Sequence, residues 1–467
     1  MKRIIYIMIF LFFLCSCSKD ETKIEYETKS LEKYSEKYIK DSYNTDDSFK
    51  KYLEFNDEQY KKEIYASPSG IGNGEIDNEA NIYDAINLLK PGYVLYLREG
   101  TYVLNEGISI DLSGSIDDFI TIRNYPNEKV CLTSNNKNIK EYAIDGEYAL
   151  MTIEEKAQYL IIEGIEFANI KAKNAMAIRM YGGRQNHIII RDNIIHNINT
   201  SKENDENYGA NAILLIGEDS EYAINNIIVY NNKIYNNKLG YSEAISIASN
   251  CYSIYVFNNI LENNSNIGID FSGNFGYCND KEYDQPRKCI AAGNYVIGSK
   301  SKYDYCAGIY IDGAKDSLID NNYISNSQYG IEVGSEEKVQ GYYTYNNIVA
   351  NNLIKNNLYC GIRVGGYDLN NSGIVKSTII DNNELINNSS NKEAAEIIIN
   401  MVDGLKITNN RITTNRYILD TEEFKESDIK NVVFYNNNCS SKENGCIYYL
   451  NKDYTIKEFR KELLKNE

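Results

Sequence analysis

Asparagine pairs recur along this chain at a nearly fixed spacing, and few folds accommodate that. Asn231-Asn232, Asn258-Asn259, Asn321-Asn322, Asn351-Asn352, Asn382-Asn383 and Asn409-Asn410 each precede a short apolar segment. Where pairs follow one another directly they lie 27, 30 or 31 residues apart. A period in this range marks a solenoid or an array of supersecondary units. The segments between the pairs are short, β-branched and alternating, which is a strand pattern. The chain has neither a leucine lattice nor long runs of 3.6-residue periodicity, so leucine-rich and helical repeats are excluded.

The remaining solution is an all-β fold: a right-handed single-stranded parallel β-helix, expected over residues 64–450. Its coils stack with strands about 4.8 Å apart. An asparagine at each corner can stack on the next, its amide bonding neighbouring backbone and amides. Asparagine also tolerates the left-handed backbone that tight corners need. The pairs are therefore read as structure, not as ligands.

The start of the repeat carries a further signal. Ser67-Pro68-Ser69-Gly70 leads to an amphipathic segment, Ile82 to Lys90, then Pro91-Gly92, an apolar strand Tyr93-Val94-Leu95-Tyr96-Leu97, and Gly100-Thr101-Tyr102. This order resembles the opening of the pectate-lyase-like β-helix superfamily, and the resemblance covers residues 66 to 440 as architecture. It implies an N-terminal capping helix. It leaves the chemistry open, because the fold hosts lyases, hydrolases, epimerases and adhesins. A short helix over 456–464, within a tail of residues 451–467, is expected to cap the last coil.

Residues 1–17 read as an export signal: Lys2 and Arg3, an apolar run from Ile4 to Leu14, then Leu14-Cys15-Ser16-Cys17. The ending resembles a bacterial lipoprotein box, which implies cleavage before Cys17, lipidation of its thiol and anchoring to a bacterial membrane. Residues 18–63 are charged and tyrosine-rich, and read as a tether.

The 467-residue chain has a formal net charge of −17, which disfavours nucleic acid as a partner. Two histidines rule out a three-histidine metal centre. Outside the cytoplasm disulfides persist, and Cys278/Cys289 and Cys439/Cys446 are close enough in sequence to close small loops. Cys131, Cys251 and Cys360 read as buried thiols, and Cys306 as either. His187 and His196 read as solvated turn residues. A monomer is expected.

One strand per coil begins Gly-Ile or Ala-Ile. Because strand side chains alternate faces, the third residue of each points outward. That column reads Arg179, Leu214, Ser246, Asp270, Tyr310, Glu332, Arg363, with Asp312 in the adjacent outward column and Glu243 at the start of its rung. Stacked like charges are destabilising unless paired or used. Insertions Gly273 to Lys288 and Ser299 to Tyr305 fall on the same rungs and are expected to wall this face.

Carboxylates on neighbouring rungs can meet the separations used in glycoside hydrolysis, about 5 to 5.5 Å or about 6.5 to 9.5 Å. Gly308-Ile309-Tyr310-Ile311-Asp312, with Glu332-Val333 one coil later, resembles the catalytic pair of β-helical β-xylosidases. The resemblance implies Asp312 as nucleophile and Glu332 as general acid/base. The candidate catalytic residues are thus Asp312, Glu332 and Asp270, with Glu243, Tyr310, Arg287 and Arg363 for substrate, a poly- or oligosaccharide. This reading requires no cofactor. The alternative is a polysaccharide lyase or epimerase using Arg287, Lys288 or Arg363 as base, with Ca²⁺ held by Glu243, Asp270 and Asp312. A third reading is a non-catalytic glycan binder or adhesin.

Overall fold

The computed structural model describes residues 60–135, 146–389, 395–422, 424–425, 427–443 and 445–463. The export signal with Cys17, and nearly all of the 18–63 segment, lie outside the described residues.

The described chain is a parallel β-helix of three long sheets. Each coil visits the first sheet, then the second, then the third, and returns one rung along. The first strand, Lys62–Ala66, pairs with Tyr93–Leu97, so the fold begins slightly ahead of the expected boundary. Among the described residues the first and third sheets have 13 strands each and the second has 12. A small fourth sheet joins Thr344–Tyr345, Val375–Lys376, Val402–Asp403 and Ile429–Lys430 on consecutive coils.

Inside, like stacks on like. Along the third sheet Ile178, Ile213, Ile245, Ile269, Ile309, Ile331, Ile362 and Ile397 form one register column, and every member is fully buried. Each such side chain stabilises the fold by about 1.5–3 kcal/mol relative to exposure. The glycine that opens several of these strands has a steric cause: a Cβ at Gly330 would stand 2.4 Å from both the Gly361 carbonyl oxygen and Ile354 Cγ2.

The asparagine pairs divide their labour. The first member takes the left-handed backbone, as at Asn231, Asn258, Asn321, Asn351, Asn382 and Asn409, with φ of 52–58°. The second is buried and forms a ladder in which each amide nitrogen donates to the next Oδ1, from Asn193 through Asn232, Asn259, Asn294, Asn322, Asn352, Asn383 and Asn410 to Asn437. A second ladder, Asn357 to Asn388, ends on Glu396, whose Oε2 accepts from Asn388 Nδ2 at 2.7 Å.

The ends are closed. Helix α1 (Ile82–Asn87), N-capped by Asn81, buries Ile82, Ala85 and Ile86 against the first two strands of the first sheet. Helix α2 (Ile456–Leu463) places Phe459 against Phe434, Tyr449 and Tyr454, with ring centroids 5.1–5.9 Å apart, sealing the other end.

Two sequence expectations need correction. The described cysteines, including Cys278, Cys289, Cys439 and Cys446, are all unbridged thiols. The histidines are strand residues: His187 stacks on Tyr159, and His196 stacks on Tyr235 while bonding Glu166 at 2.9 Å. A flat ring on a rung covers the ring one coil away, which is why neither is a solvated turn residue.

Candidate active site

The outward column of the third sheet has the register that alternation implies. Ser246 pairs with Asp270, Asp270 with Tyr310, Tyr310 with Glu332, and Glu332 with Arg363. Asp312 pairs with Gly334 in the adjacent column. These side chains share one face, yet they are not solvated: Asp270 and Asp312 are each 2% exposed, Glu332 6% and Arg363 8%. Loops on both edges of the sheet fold over them. The segment before Ala307–Asp312 brings Asp304 and Tyr305, and the segments after Gly334 and Val364 bring Glu336 and Tyr367.

Between these walls lies a pocket of about 700 Å³. Its acidic members are Asp304, Glu332, Glu336 and Glu422, and its aromatic ones Tyr305, Tyr310, Tyr329, Tyr359 and Tyr367, with Arg363 and Ile398 completing the lining. Tyr305 stacks on Tyr329 at 5.9 Å, and Tyr359 meets both rings edge-on at 5.2 and 5.9 Å.

Two of the lining carboxyls, Glu332 and Glu336, have different surroundings. Glu332 Oε1 accepts from Arg363 Nη1 at 2.6 Å. Burial raises the Glu332 pKa, and the guanidinium works against that rise. Glu336 is an exposed member of the lining, and no ion pair to it is formed among the described residues. Crowding by the protein walls and then the Glu332 and Glu243 charges push its carboxyl up to about 7.

Asp312 and Asp270 are buried and are not part of the pocket's lining. The chain after Gly334 turns back so that the Glu336 N–H donates to Asp312 Oδ1 at 2.7 Å. Burial, Glu336 and Asp270 raise Asp312 well above the usual carboxylate range. Asp270 is raised by burial and by Glu243; its Oδ2 accepts from Ser272, and its buried Oδ1 has no hydrogen-bond partner. Glu243 is pushed up to about 7 by burial, against hydrogen bonds from Ser246 and Asn211. Among the described residues no three His, Cys, Asp or Glu side chains are grouped to hold a metal ion.

Arg287 is elsewhere. Its Nη1 donates to Asn250 Oδ1 at 2.8 Å and its guanidinium lies over the Tyr252 and Tyr283 rings. Lys288 Nζ donates to the Tyr252 hydroxyl. Both belong to the approach to the first sheet, around the corner from the pocket, because the Gly273 to Lys288 insertion ends there. Sequence reasoning missed Glu336, Glu422, Tyr329, Tyr359 and Tyr367. Tyr329 precedes the Gly-Ile of its strand and shares the parity of the core residues Ile331 and Val333, so alternation alone does not place it on the pocket face. The others sit in turns or on a rung lacking the Gly-Ile start.

Residues 307–460 match a family model described as the right handed beta helix region. Over 330 residues the chain is 30% identical to the uncharacterized protein YwoF of Bacillus subtilis (strain 168), covering 68% of this chain and 67% of that one. The chain belongs to the YwoF family of right-handed parallel β-helix proteins. Among solved structures, the catalytic domain of a GH87 α-1,3-glucanase, in complex with tetrasaccharides, superposes with a TM-score of 0.54 at 12% identity, covering 85% of this chain and 70% of that one. PfbA, a surface adhesin of Streptococcus pneumoniae, superposes with a TM-score of 0.50 at 16% identity, covering 84% and 94%. At these identities the likeness is one of fold.

Proposed function

We propose that this chain is a carbohydrate-active protein that hydrolyses a glycosidic bond in a poly- or oligosaccharide held in the third-sheet pocket. The observation that carries this reading is the pair Glu332 and Glu336 beside one ring cluster, one carboxyl with a guanidinium partner and the other without. Glycosidases use two carboxyls whose environments push their proton affinities apart. Arg363 favours the ionised form of Glu332, which then acts as nucleophile or base. Glu336 keeps its proton to higher pH and protonates the leaving oxygen. Tyr305, Tyr329 and Tyr359 offer apolar faces to sugar rings, with hydroxyls for polar contact. Asp312 is a positioning residue, which orients Glu336 through the main chain. The α-1,3-glucanase with a comparable fold lends support to a glycan substrate.

The lyase reading is weaker, because Arg287 and Lys288 lie off the pocket and Arg363 is committed to Glu332. The binder reading draws on the same tyrosine cluster and differs only in turnover. A screen of oligosaccharides for reducing-end release decides: hydrolysis lost in both Glu332→Gln and Glu336→Gln supports the proposal, and turnover that survives both variants sinks it. Export and lipid anchoring at Cys17 remain part of the proposal, and radiolabelled-palmitate incorporation abolished by Cys17→Ser tests them.

A further inference from the structure

The pocket's charge is lopsided. Its lining carries four carboxyls, Asp304, Glu332, Glu336 and Glu422, against one guanidinium, Arg363. That guanidinium is bound to Glu332 at 2.6 Å. Glu422 is fixed by the Asn400 amide and Asp304 by the Tyr305 N–H, neither of which supplies a full positive charge. Three acids therefore face the cavity without a dedicated cation.

We propose that the pocket selects a saccharide bearing a free, protonated amine, such as a glucosamine unit whose nitrogen is unsubstituted. This rests on the glycan reading of the same site. A uronate would bring further negative charge into a region already short of cations. A neutral sugar would displace water from Asp304 and Glu422 and offer neither a cation. An ammonium meets both needs: charge-assisted hydrogen bonds to the carboxyls, and the faces of Tyr305, Tyr329 and Tyr359, which attract cations through their ring quadrupoles. Burial raises the Glu422 carboxyl despite Arg363, and a bound ammonium would favour its ionised form.

Titration calorimetry of the intact protein, at low salt and about pH 6 so that the sugar amine is protonated, tests this with three probes: a glucosamine tetramer, an N-acetylglucosamine tetramer and a galacturonate tetramer. The free-amine tetramer is expected to bind about tenfold more tightly than the acetylated one, as one charge-assisted contact implies. The galacturonate tetramer is expected to bind most weakly. Glu422→Gln is expected to shrink the amine-to-acetyl ratio. Equal or tighter binding of either control, or a ratio unmoved by Glu422→Gln, overturns the inference. Hydrolysis of a neutral glycan without amine preference would sink it and leave the hydrolase reading standing. Amine-selective binding without turnover would do the reverse.

Discussion

Arg363 Nη1 lies 2.6 Å from Glu332 Oε1 across two adjacent rungs of the third sheet, and both side chains are nearly buried. Removing one partner of such a pair leaves an uncompensated charge. Arg363→Met is expected to lower the unfolding free energy by about 3 kcal/mol at neutral pH. The deficit should narrow in acid, where Glu332 accepts a proton. Urea unfolding at several pH values measures both, and a deficit independent of pH would show that lost packing, not charge, is responsible.

Asp270 gives the opposite sign. Its folded pKa is raised from an ordinary 3.8 by burial and by Glu243. Below its unfolded pKa both states hold the proton and the associated stability is fully present. As pH rises through the folded value, the native state must bury a charge and that stability is lost. Asp270→Asn keeps the shape and the Ser272 contact without the charge. It is expected to raise stability by about 1–3 kcal/mol at pH 8 and to change little in acid. Melting temperatures across that range give the comparison.

The asparagine pair offers an internal control. Asn383 Nδ2 donates to the Val349 carbonyl and to Asn410, while its Oδ1 accepts from the Asn352 backbone and side chain, all at 2.9–3.0 Å. Asn383→Ala strands several buried groups and should cost about 3 kcal/mol or more. Its neighbour Asn382 sits at φ 52° with a surface bond to Asn351, so Asn382→Gly should cost under about 1 kcal/mol. Equal losses at the two positions would contradict the division between corner and ladder.

Tyr305 is 62% exposed and stacks on Tyr329 at the pocket edge. Tyr305→Ala is expected to raise KM about tenfold with kcat nearly unchanged, because a ring contact made equally in ground and transition states affects binding alone. Steady-state kinetics on the substrate found by screening would show the split.

The sheet register was readable because the chain repeats a local rule. A residue small enough for the close approach seen at Gly330, then an isoleucine for the core, fixes which side chains share a face, and Asp270, Tyr310, Glu332 and Arg363 fall in line accordingly. Depth was not readable. Asp312 was expected beside a trough, but the turn after Gly334 folds back over it and presents Glu336 in its place. Such a turn has no period to betray it. Glu422 follows a strand, Tyr417–Asp420, that opens on Tyr-Ile in place of Gly-Ile, and the rung before it, Ala395–Ile399, lacks that start as well, so the rule stopped two rungs short of it. Arg287 sat in an insertion adjacent in sequence to the acidic rungs, and only the path of the loop decides which sheet it serves.

The buried amide ladder treats every coil alike, whereas the pocket draws its groups from the ends of a few. A molecule assembled this way can lengthen by copying whole coils, or exchange an edge loop for another, with little disturbance to the stack beneath. Diversity within the family should accordingly gather in the segments that leave the third sheet, and the amide column should be the slowest part to change.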